Sequence, residues 1–229
     1  MRSLAVLVAC LTAPALAQHV DVGAVVNGGQ IETWAADHDL GIYLNPERVF
    51  EGEMNLISGS VVGDEPGYFF LPNSQFAGQF VGFDIRRAVR AWDPLAPSSA
   101  PNTNFLSIPT SSITFGDSVL GFVTTPAADP AVPLPGLQVQ IPGAGLDFHY
   151  PMTLNLPTEG IYLVELEMRT SLAGILDSQP YWMVLNYGLD EPEHERAVEY
   201  VQQFIVPAPG SLAIVAGGLV LIRRTRRTS

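Results

Sequence analysis

The chain reads HVDVGAVVNGGQIETW over residues 19–34, where apolar and polar side chains alternate around an Asn-Gly pair. In an extended strand this alternation places His19 and Asp21 on one face and the apolar side chains on the other. The apolar side chains are Val20, Val22, Ala24 and Val26. Asn27 and Gly28 predict a tight turn, because both central residues of such a turn must tolerate positive φ. The sequence therefore predicts that the body of the protein opens with a β-hairpin.

Short runs of strand-forming residues, separated by turn residues, follow this hairpin along the chain. They are residues 41–44, 54–62, 68–71, 80–85, 112–115, 120–124, 137–141, 146–154, 161–170 and 181–187. Many short strands with turn signals between them favour a sandwich or a jelly roll. We therefore predict an all-β fold, a single antiparallel β-sandwich or jelly-roll-like domain over residues 18–205. The Pro-rich stretches 93–110 and 125–145 are interpreted as long loops of that domain.

The last two predicted strands differ in pattern, and a helix follows them. Residues 161–170 alternate apolar with charged side chains, which predicts a strand with one exposed face. Residues 181–187 are apolar on both faces, which favours a central position in a sheet. Residues 190–204 have acidic side chains and Pro192 in their first turn and then apolar residues at helical spacing, so we predict one short C-terminal helix. Residues 84–92 fit either a second short helix or a continued strand.

The balance of charges limits the classes of function. The chain has 23 acidic and 11 basic residues and a formal net charge of −12, and every basic residue is an arginine. Five of these arginines lie in the terminal segments, so residues 18–205 alone carry a formal charge of −17. Such a surface repels phosphate, which excludes a nucleic-acid-binding body. The absence of lysine excludes a Schiff-base enzyme. No nucleotide-binding or hydrolase motif is present, so we predict a non-enzymatic protein without catalytic residues.

The first 17 residues have the pattern of a secretory signal peptide. Arg2 precedes an apolar run over residues 4–11, and Ala15 and Ala17 supply the small side chains that signal peptidase requires before its cleavage site. We therefore predict a signal peptide over residues 1–17. Cleavage after Ala17 would remove Cys10, the one cysteine of the chain, and would leave a body without disulfides.

The C-terminal residues 206–229 combine a proline motif, a short apolar run and a basic tail. The motif is Pro207-Ala208-Pro209, the apolar helix is predicted over residues 211–222, and the tail contains Arg223, Arg224, Arg226 and Arg227. As a helix the apolar run spans about 18 Å, against about 30 Å for a bilayer core. The order resembles the PEP-CTERM sorting signal, with Ala208 where the family has glutamate. The resemblance implies sorting by an exosortase-like enzyme at a Gram-negative cell envelope, and a membrane segment before processing. A plain membrane anchor is the alternative reading.

The few histidines are candidates for metal ligands, because each lies near carboxylates. His19 and Asp21 share a strand face, His38 stands between two aspartates, and His149 follows Asp147 by two residues. Neutral imidazole and carboxylate suit zinc, copper or manganese. We therefore treat His19, Asp21, His38 and His149 as a candidate site for a divalent cation. Solvated polar residues at strand ends are the simpler interpretation, and calcium on the acidic loops is a further alternative.

Aromatic residues and glutamate pairs suggest two other functions. Trp34 and Trp92 border polar segments and are candidates for stacking against sugars, whereas Trp182 has apolar neighbours and is expected in the core. Two pairs of glutamates at alternate positions could supply the two carboxyls of a glycoside hydrolase. These pairs are Glu51 with Glu53 and Glu165 with Glu167.

Part of the body also resembles the surface-anchored repeat domains of bacterial cell-wall proteins. The matching segments are His19-Val-Asp-Val, Pro66-Gly-Tyr-Phe-Phe-Leu-Pro72, Leu146-Asp-Phe-His149 and Thr158-Glu-Gly-Ile-Tyr-Leu163. The resemblance implies an extracellular β domain in which His19 and His149 lie close together. We expect an exported envelope or extracellular-matrix protein with a structural role or a role in binding matrix polysaccharide. A metal-binding surface module is the alternative, and a glycoside hydrolase is a lesser one.

Overall fold

The computed structural model describes residues 20–96 and 103–207, and this part of the chain is rich in β-strands. The predicted signal peptide, apolar sorting helix and arginine tail lie outside the described residues. The strands are β1 Asp21–Asn27, β2 Gln30–Asp37, β3 Ile42–Pro46, β4 Val49–Glu53, β5 Asn55–Ile57, β6 Ser60–Gly63, β7 Tyr68–Phe70, β8 Phe80–Ile85, β9 Arg90–Ala91, β10 Ser112–Asp117, β11 Gly121–Thr124, β12 Leu134–Gln140, β13 Leu146–Phe148, β14 Met152–Asn155, β15 Gly160–Thr170 and β16 Tyr181–Tyr187. Helix α1 spans Glu191–Tyr200 and continues as a π-helix over Val201–Ile205.

The described strands form three sheets. The first has the order β13-β7-β1-β2-β3, the second β11-β10-β14-β6-β5, and the third β12-β8-β15-β16-β4 with β9 beside β15. The predicted opening hairpin is confirmed, since β1 and β2 pair antiparallel with Asn27 opposite Gln30. Most of the described strand pairs are antiparallel, as predicted, but two are parallel, β1 with β7 and β16 with β4, which corrects the prediction at these two pairs. Alternation of side chains reports which face is buried but not the direction of the neighbouring strand, and these neighbours are distant in sequence.

Two of the predicted strands are each divided in the structure. Residues 54–62 form a hairpin of β5 and β6, because Ser58 and Gly59 adopt positive φ values of 51° and 85° at the turn. Residues 146–154 break between β13 and β14, where Pro151 lacks the N–H that a continuous ladder would use. Strand β4, which the sequence did not indicate, pairs with β16 along its whole length.

The third sheet is covered on both faces, which explains the doubly apolar pattern of β16. Tyr181, Met183 and Leu185 face the larger core between the sheets, and Trp182 and Val184 face a second core beneath helix α1. The predicted C-terminal helix is thus confirmed, and it is what makes the outer face of β16 apolar. Among the residues that the structure describes, no helix has the length and apolarity needed to span a membrane.

The position of Trp92 corrects one sequence-based prediction. This side chain is only 7% exposed and belongs to the second core, where its ring lies 5.1 Å from that of Phe105 and 5.4 Å from that of Tyr200. Its indole N–H donates to Glu193 of α1. Trp92 is therefore a core residue that helix α1 covers, and it is not a platform for sugars. Trp182 is in the core, as expected.

Candidate metal centre

The first sheet and its connections bring four of the polar side chains considered above to one place. Asp21 begins β1, His38 follows the last residue of β2, Asp147 lies in β13 and His149 follows β13. Strand β7 separates β1 from β13 and aligns them: it pairs in parallel with β1 and antiparallel with β13. Because β7 pairs in parallel with β1, strand β13 and the residue His149 that follows it lie close to the first strand of the body.

Asp21 is the buried member of the cluster, with 1% of its surface exposed. Its Oδ1 accepts a hydrogen bond of 2.9 Å from the backbone N–H of Gly67, and its Oδ2 lies 2.9 Å from Nδ1 of His38. Because a carboxylate is an acceptor only, His38 must donate through Nδ1. Each carboxylate oxygen keeps a further lone pair, so Asp21 is oriented by these two bonds and can still bind a cation.

His149 is half-buried, and its two ring nitrogens have different partners. Nδ1 lies 3.1 Å from the backbone carbonyl oxygen of Asp64 and 3.5 Å from a carboxylate oxygen of Glu65. Nε2 lies 3.1 Å from Oδ1 of Asp147. A carbonyl only accepts, so Nδ1 carries a proton and donates to Asp64. This arrangement leaves Nε2 as the atom that can bind either a second proton or a metal ion, beside a carboxylate.

The surrounding carboxylates shift the titration of both histidines. The hydrogen bond from His38 to Asp21 raises the pKa of His38 above 6.5, against the smaller opposing effect of burial. Burial lowers the pKa of His149, but the negative charges of Glu65, Asp21 and Asp147 together with the carbonyl of Asp64 outweigh it, and the net shift is upward. Burial raises the pKa of Glu65, and His149 opposes that shift. The cluster therefore favours bound positive charge, whether protons or a cation supply it.

The donor atoms fit a metal ion in type and spacing. Asp21, Asp147 and His149 each offer one ligand atom, and these atoms all lie within 4.8 Å of one another. Two atoms bound to one zinc at about 2.0–2.2 Å, with an angle near 90–110°, lie roughly 2.8–3.6 Å apart. The 3.1 Å between Nε2 of His149 and Oδ1 of Asp147 falls in that range. His38 contacts Asp21, with its ring centroid 6.3 Å from that of His149, and it orients this carboxylate.

Gly67 is required for this arrangement. A Cβ atom at this position would lie 2.6 Å from Cε1 of His149 and 2.8 Å from Oδ1 of Asp21. The backbone of residue 67 also donates to Asp21 and accepts from the N–H of Val22 at 2.9 Å. Only glycine allows the chain to pass between these two side chains.

A row of aromatic rings lies on the same outer face of the first sheet. Trp34 and Tyr43 have ring centroids 6.5 Å apart, and Tyr43 and Phe69 are also 6.5 Å apart. All three are partly exposed. Trp34 pairs with Gly23, which shares a strand face with Asp21, and Phe69 pairs with Asp147. The strand registers therefore place the row and the metal-ligand cluster side by side.

The structure thus brings together three of the four predicted metal ligands: Asp21, His38 and His149. His19 lies outside the described residues. The sequence-based set lacked Asp147 and Glu65, although the two-residue spacing of Asp147 and His149 was a signal for the former. Of the sorting motif, Pro207 is described, and Ala208, Pro209 and the four arginines of the tail are not.

The glutamate pairs that suggested a hydrolase have other partners. Both carboxylate oxygens of Glu165 contact arginines, Arg86 at 3.3 Å and Arg87 at 3.1 Å, and Glu167 binds Arg86. Glu53 contacts His194 at 3.0 Å. No protein-family model matches the chain, and no curated protein matches it.

Proposed function

We propose that this protein is an exported surface module that binds a divalent transition-metal ion at Asp21, Asp147 and His149. The observation that carries the proposal is the convergence of these three side chains, with His149 donating Nδ1–H to a backbone carbonyl and directing Nε2 at Asp147. Metal-binding histidines commonly have this arrangement, in which a second hydrogen bond fixes the tautomer and the ring. His38 plays the corresponding part for Asp21. Mixed nitrogen and oxygen donors suit Zn²⁺ or Mn²⁺.

The test is zinc binding by the purified protein after treatment with a chelator and dialysis. We expect a His149→Ala variant to lose at least about tenfold in affinity for this ion, since it loses a ligand, and a His38→Asn variant to lose about 10–100-fold. Glu159 is exposed and is not one of the residues of the cluster, so Glu159→Gln serves as the control and should bind as the unmodified protein does. Equal affinity in the His149→Ala variant would contradict the proposal and leave the cluster as a network of protonated histidines and carboxylates.

A second function, binding of matrix polysaccharide, is favoured by the aromatic row beside the metal-ligand cluster. Trp34, Tyr43 and Phe69 offer apolar rings on an outer sheet face, and pyranose sugars stack on such rings. Trp34 is the partly exposed tryptophan, whereas Trp92 and Trp182 are buried. Quenching of tryptophan emission by an acidic polysaccharide in the presence of metal should therefore be lost on Trp34→Phe substitution. Quenching that survives this substitution would exclude the row.

The cellular setting is part of the proposal. We infer that signal peptidase removes residues 1–17, that an exosortase-like enzyme processes residues 206–229, and that the body over residues 18–205 is one jelly-roll-like sandwich at the cell surface or in the extracellular matrix. The terminal sequences and the acidic body support this reading. The intact mass of protein recovered from its native envelope tests it, because both cleavages change the mass; a full-length mass would contradict it.

A further inference from the structure

A second cluster of histidine and carboxylate groups lies where helix α1 meets the third sheet. Glu53 is the last residue of β4, and Glu191 and His194 lie in the first turn of α1. Residues three apart share one face of a helix, so this Glu-x-x-His spacing directs both side chains to the same side. One ligand atom from each of Glu53, Glu191 and His194 lies within 4.8 Å of the others. None of these residues belongs to the cluster around Asp21.

The contacts of His194 place an acceptor beside each of its ring nitrogens. Its side chain is buried, with 1% of its surface exposed. Nε2 lies 3.1 Å from the carbonyl oxygen of Val184, and Nδ1 lies 3.0 Å from Oε1 of Glu53. Both neighbours are acceptors, whereas a neutral imidazole donates from one nitrogen only. In the tautomer that donates Nε2–H to Val184, the lone pair of Nδ1 faces Oε1 of Glu53, and a metal ion between these two atoms would relieve their repulsion.

The surrounding groups hold the cluster as they would hold metal ligands. The side-chain amide of Asn186 donates to both carboxylate oxygens of Glu53 at 3.2 Å, and it is itself fixed by a 3.0 Å bond to the carbonyl oxygen of Leu189. Strands β16 and β4 pair in parallel with Asn186 opposite Glu53, so the sheet sets this contact. Asn186 therefore orients Glu53 and the carbonyl of Val184 orients His194, so that Oε1 of Glu53 and Nδ1 of His194 face each other.

A groove gives the cluster access to solvent. Glu53 lines a groove with a volume of about 500 Å³. Glu65 and His149, which belong to the cluster around Asp21 (the first cluster), line the same groove. Glu191 is exposed on the helix. An ion can therefore reach Glu53 from the same surface as the first cluster, and its remaining coordination positions can be filled by water.

We propose that Glu53, Glu191 and His194 form a second binding site for a divalent transition-metal ion, independent of the site at Asp21, Asp147 and His149. The 3.0 Å separation of Nδ1 and Oε1 corresponds to two ligands of one zinc ion at an angle near 90°. The bound ion links β4 to the start of α1 and so stabilises the packing of this helix on the second core. The protein then binds two metal ions per chain, one on each cluster beside the groove.

The experiment counts zinc ions per chain and assigns each to a cluster. Full-length protein is freed of metal, dialysed against Zn²⁺ and analysed for bound zinc, alongside variants of each cluster. Glu191→Gln changes an exposed side chain without changing its size, so it tests the site without replacing the buried His194. Glu195→Gln on the same helix is the matched control. We expect two zinc ions in the unmodified protein and in Glu195→Gln, and one in Glu191→Gln, with affinity at the second site reduced at least about tenfold by loss of a ligand.

The two proposals fail separately in this design. One ion that is lost in His149→Ala but kept in Glu191→Gln would overturn the second site and leave the first. One ion that is lost in Glu191→Gln but kept in His149→Ala would overturn the first site and leave the second. Nitrogen-15 NMR of the imidazole of His194 adds a direct readout. Zinc should bind Nδ1 and leave Nε2 protonated, and a His194 spectrum unchanged by zinc would overturn the second site.

Discussion

Replacement of Gly67 by alanine is the sharpest test of the proposed metal centre, because it changes the cluster without removing any ligand. The added Cβ would lie 2.6 Å from Cε1 and 2.7 Å from Nδ1 of His149. Carbon atoms in contact sit about 3.5–4.0 Å apart, so the imidazole ring must move by about 1 Å. Metal–ligand distances tolerate only about 0.2 Å, and such a shift therefore separates Nε2 from the position shared with Asp147.

The same substitution also strains Asp21, whose Oδ1 would lie 2.8 Å from the new Cβ. We expect Gly67→Ala to cost about 1–3 kcal/mol in the free energy of unfolding, the usual range for overpacking, and to lower zinc affinity at the first cluster by at least about tenfold. Gly143 is the matched control, because a Cβ there has nothing within 4 Å and its backbone does not require positive φ. Calorimetry with zinc and urea denaturation measure the two effects.

A double-mutant cycle separates the clash with His149 from other effects. In a His149→Ala background most of the close contacts of the new Cβ disappear, so the cost of Gly67→Ala in unfolding free energy should fall by about 1 kcal/mol. Unchanged zinc affinity in Gly67→Ala would refute the placement of His149 and Asp21 as ligands of one ion. An undiminished cost in the His149→Ala background would refute the packing argument.

Three further predictions concern pH, metal and the second core. The pKa values of His38 and His149 are raised in the folded protein, so protonation of these residues stabilises the metal-free protein below pH 6.5. This stabilisation is lost as pH rises through the raised pKa values, so the denaturation midpoint should fall over that interval. The fall should be smaller in a variant that carries both His38→Asn and His149→Asn. Zinc at about 100 times its Kd should raise the unfolding free energy by about 2.7 kcal/mol per site, and excess chelator should abolish the gain. Trp92→Ala should open a cavity under α1 and lower the free energy of unfolding by about 3–5 kcal/mol, which thermal unfolding would measure. Trp34→Ala removes a partly exposed side chain and should lower it clearly less. Equal losses in the two variants would contradict the placement of these tryptophans.

Local patterns in the sequence were sufficient for most of the strands. The prediction of one exposed face for residues 161–170 is wrong for Ile161 and Leu163, which are buried in the second core. Phe80–Ile85 and Tyr181–Tyr187 have the predicted bounds, and the alternation in Gly160–Thr170 identified the other buried face of β15. These predictions succeeded because side-chain period and turn chemistry are properties of short segments. The predictions for segments 54–62 and 146–154, each taken as one strand, were wrong for a related reason. The apolar residues of these segments indicated a continuous strand, although a two-residue turn divides the first and a single proline divides the second.

The candidate site could be predicted in part. The sequence identified Asp21, His38 and His149 from residue type and from neighbouring carboxylates, but it grouped them with His19 and omitted Asp147 as a ligand. It contained no reason to join Glu53 to His194, since their contact depends on the parallel pairing of β4 with β16. Trp92 was misplaced because its polar neighbours in sequence are not its neighbours in space, which are Phe105 and Tyr200.

The sequence alone determined the β-rich class of the body, its opening hairpin, its C-terminal helix and its acidic charge, because each of these depends on residues that are adjacent along the chain. Only the tertiary structure decided which distant residues meet. The parallel pairing of β1 with β7 brings Asp21 to His149, and the packing of α1 on the third sheet brings His194 to Glu53. Strand direction and sheet order are set by the burial of one shared core, and no short segment carries that information.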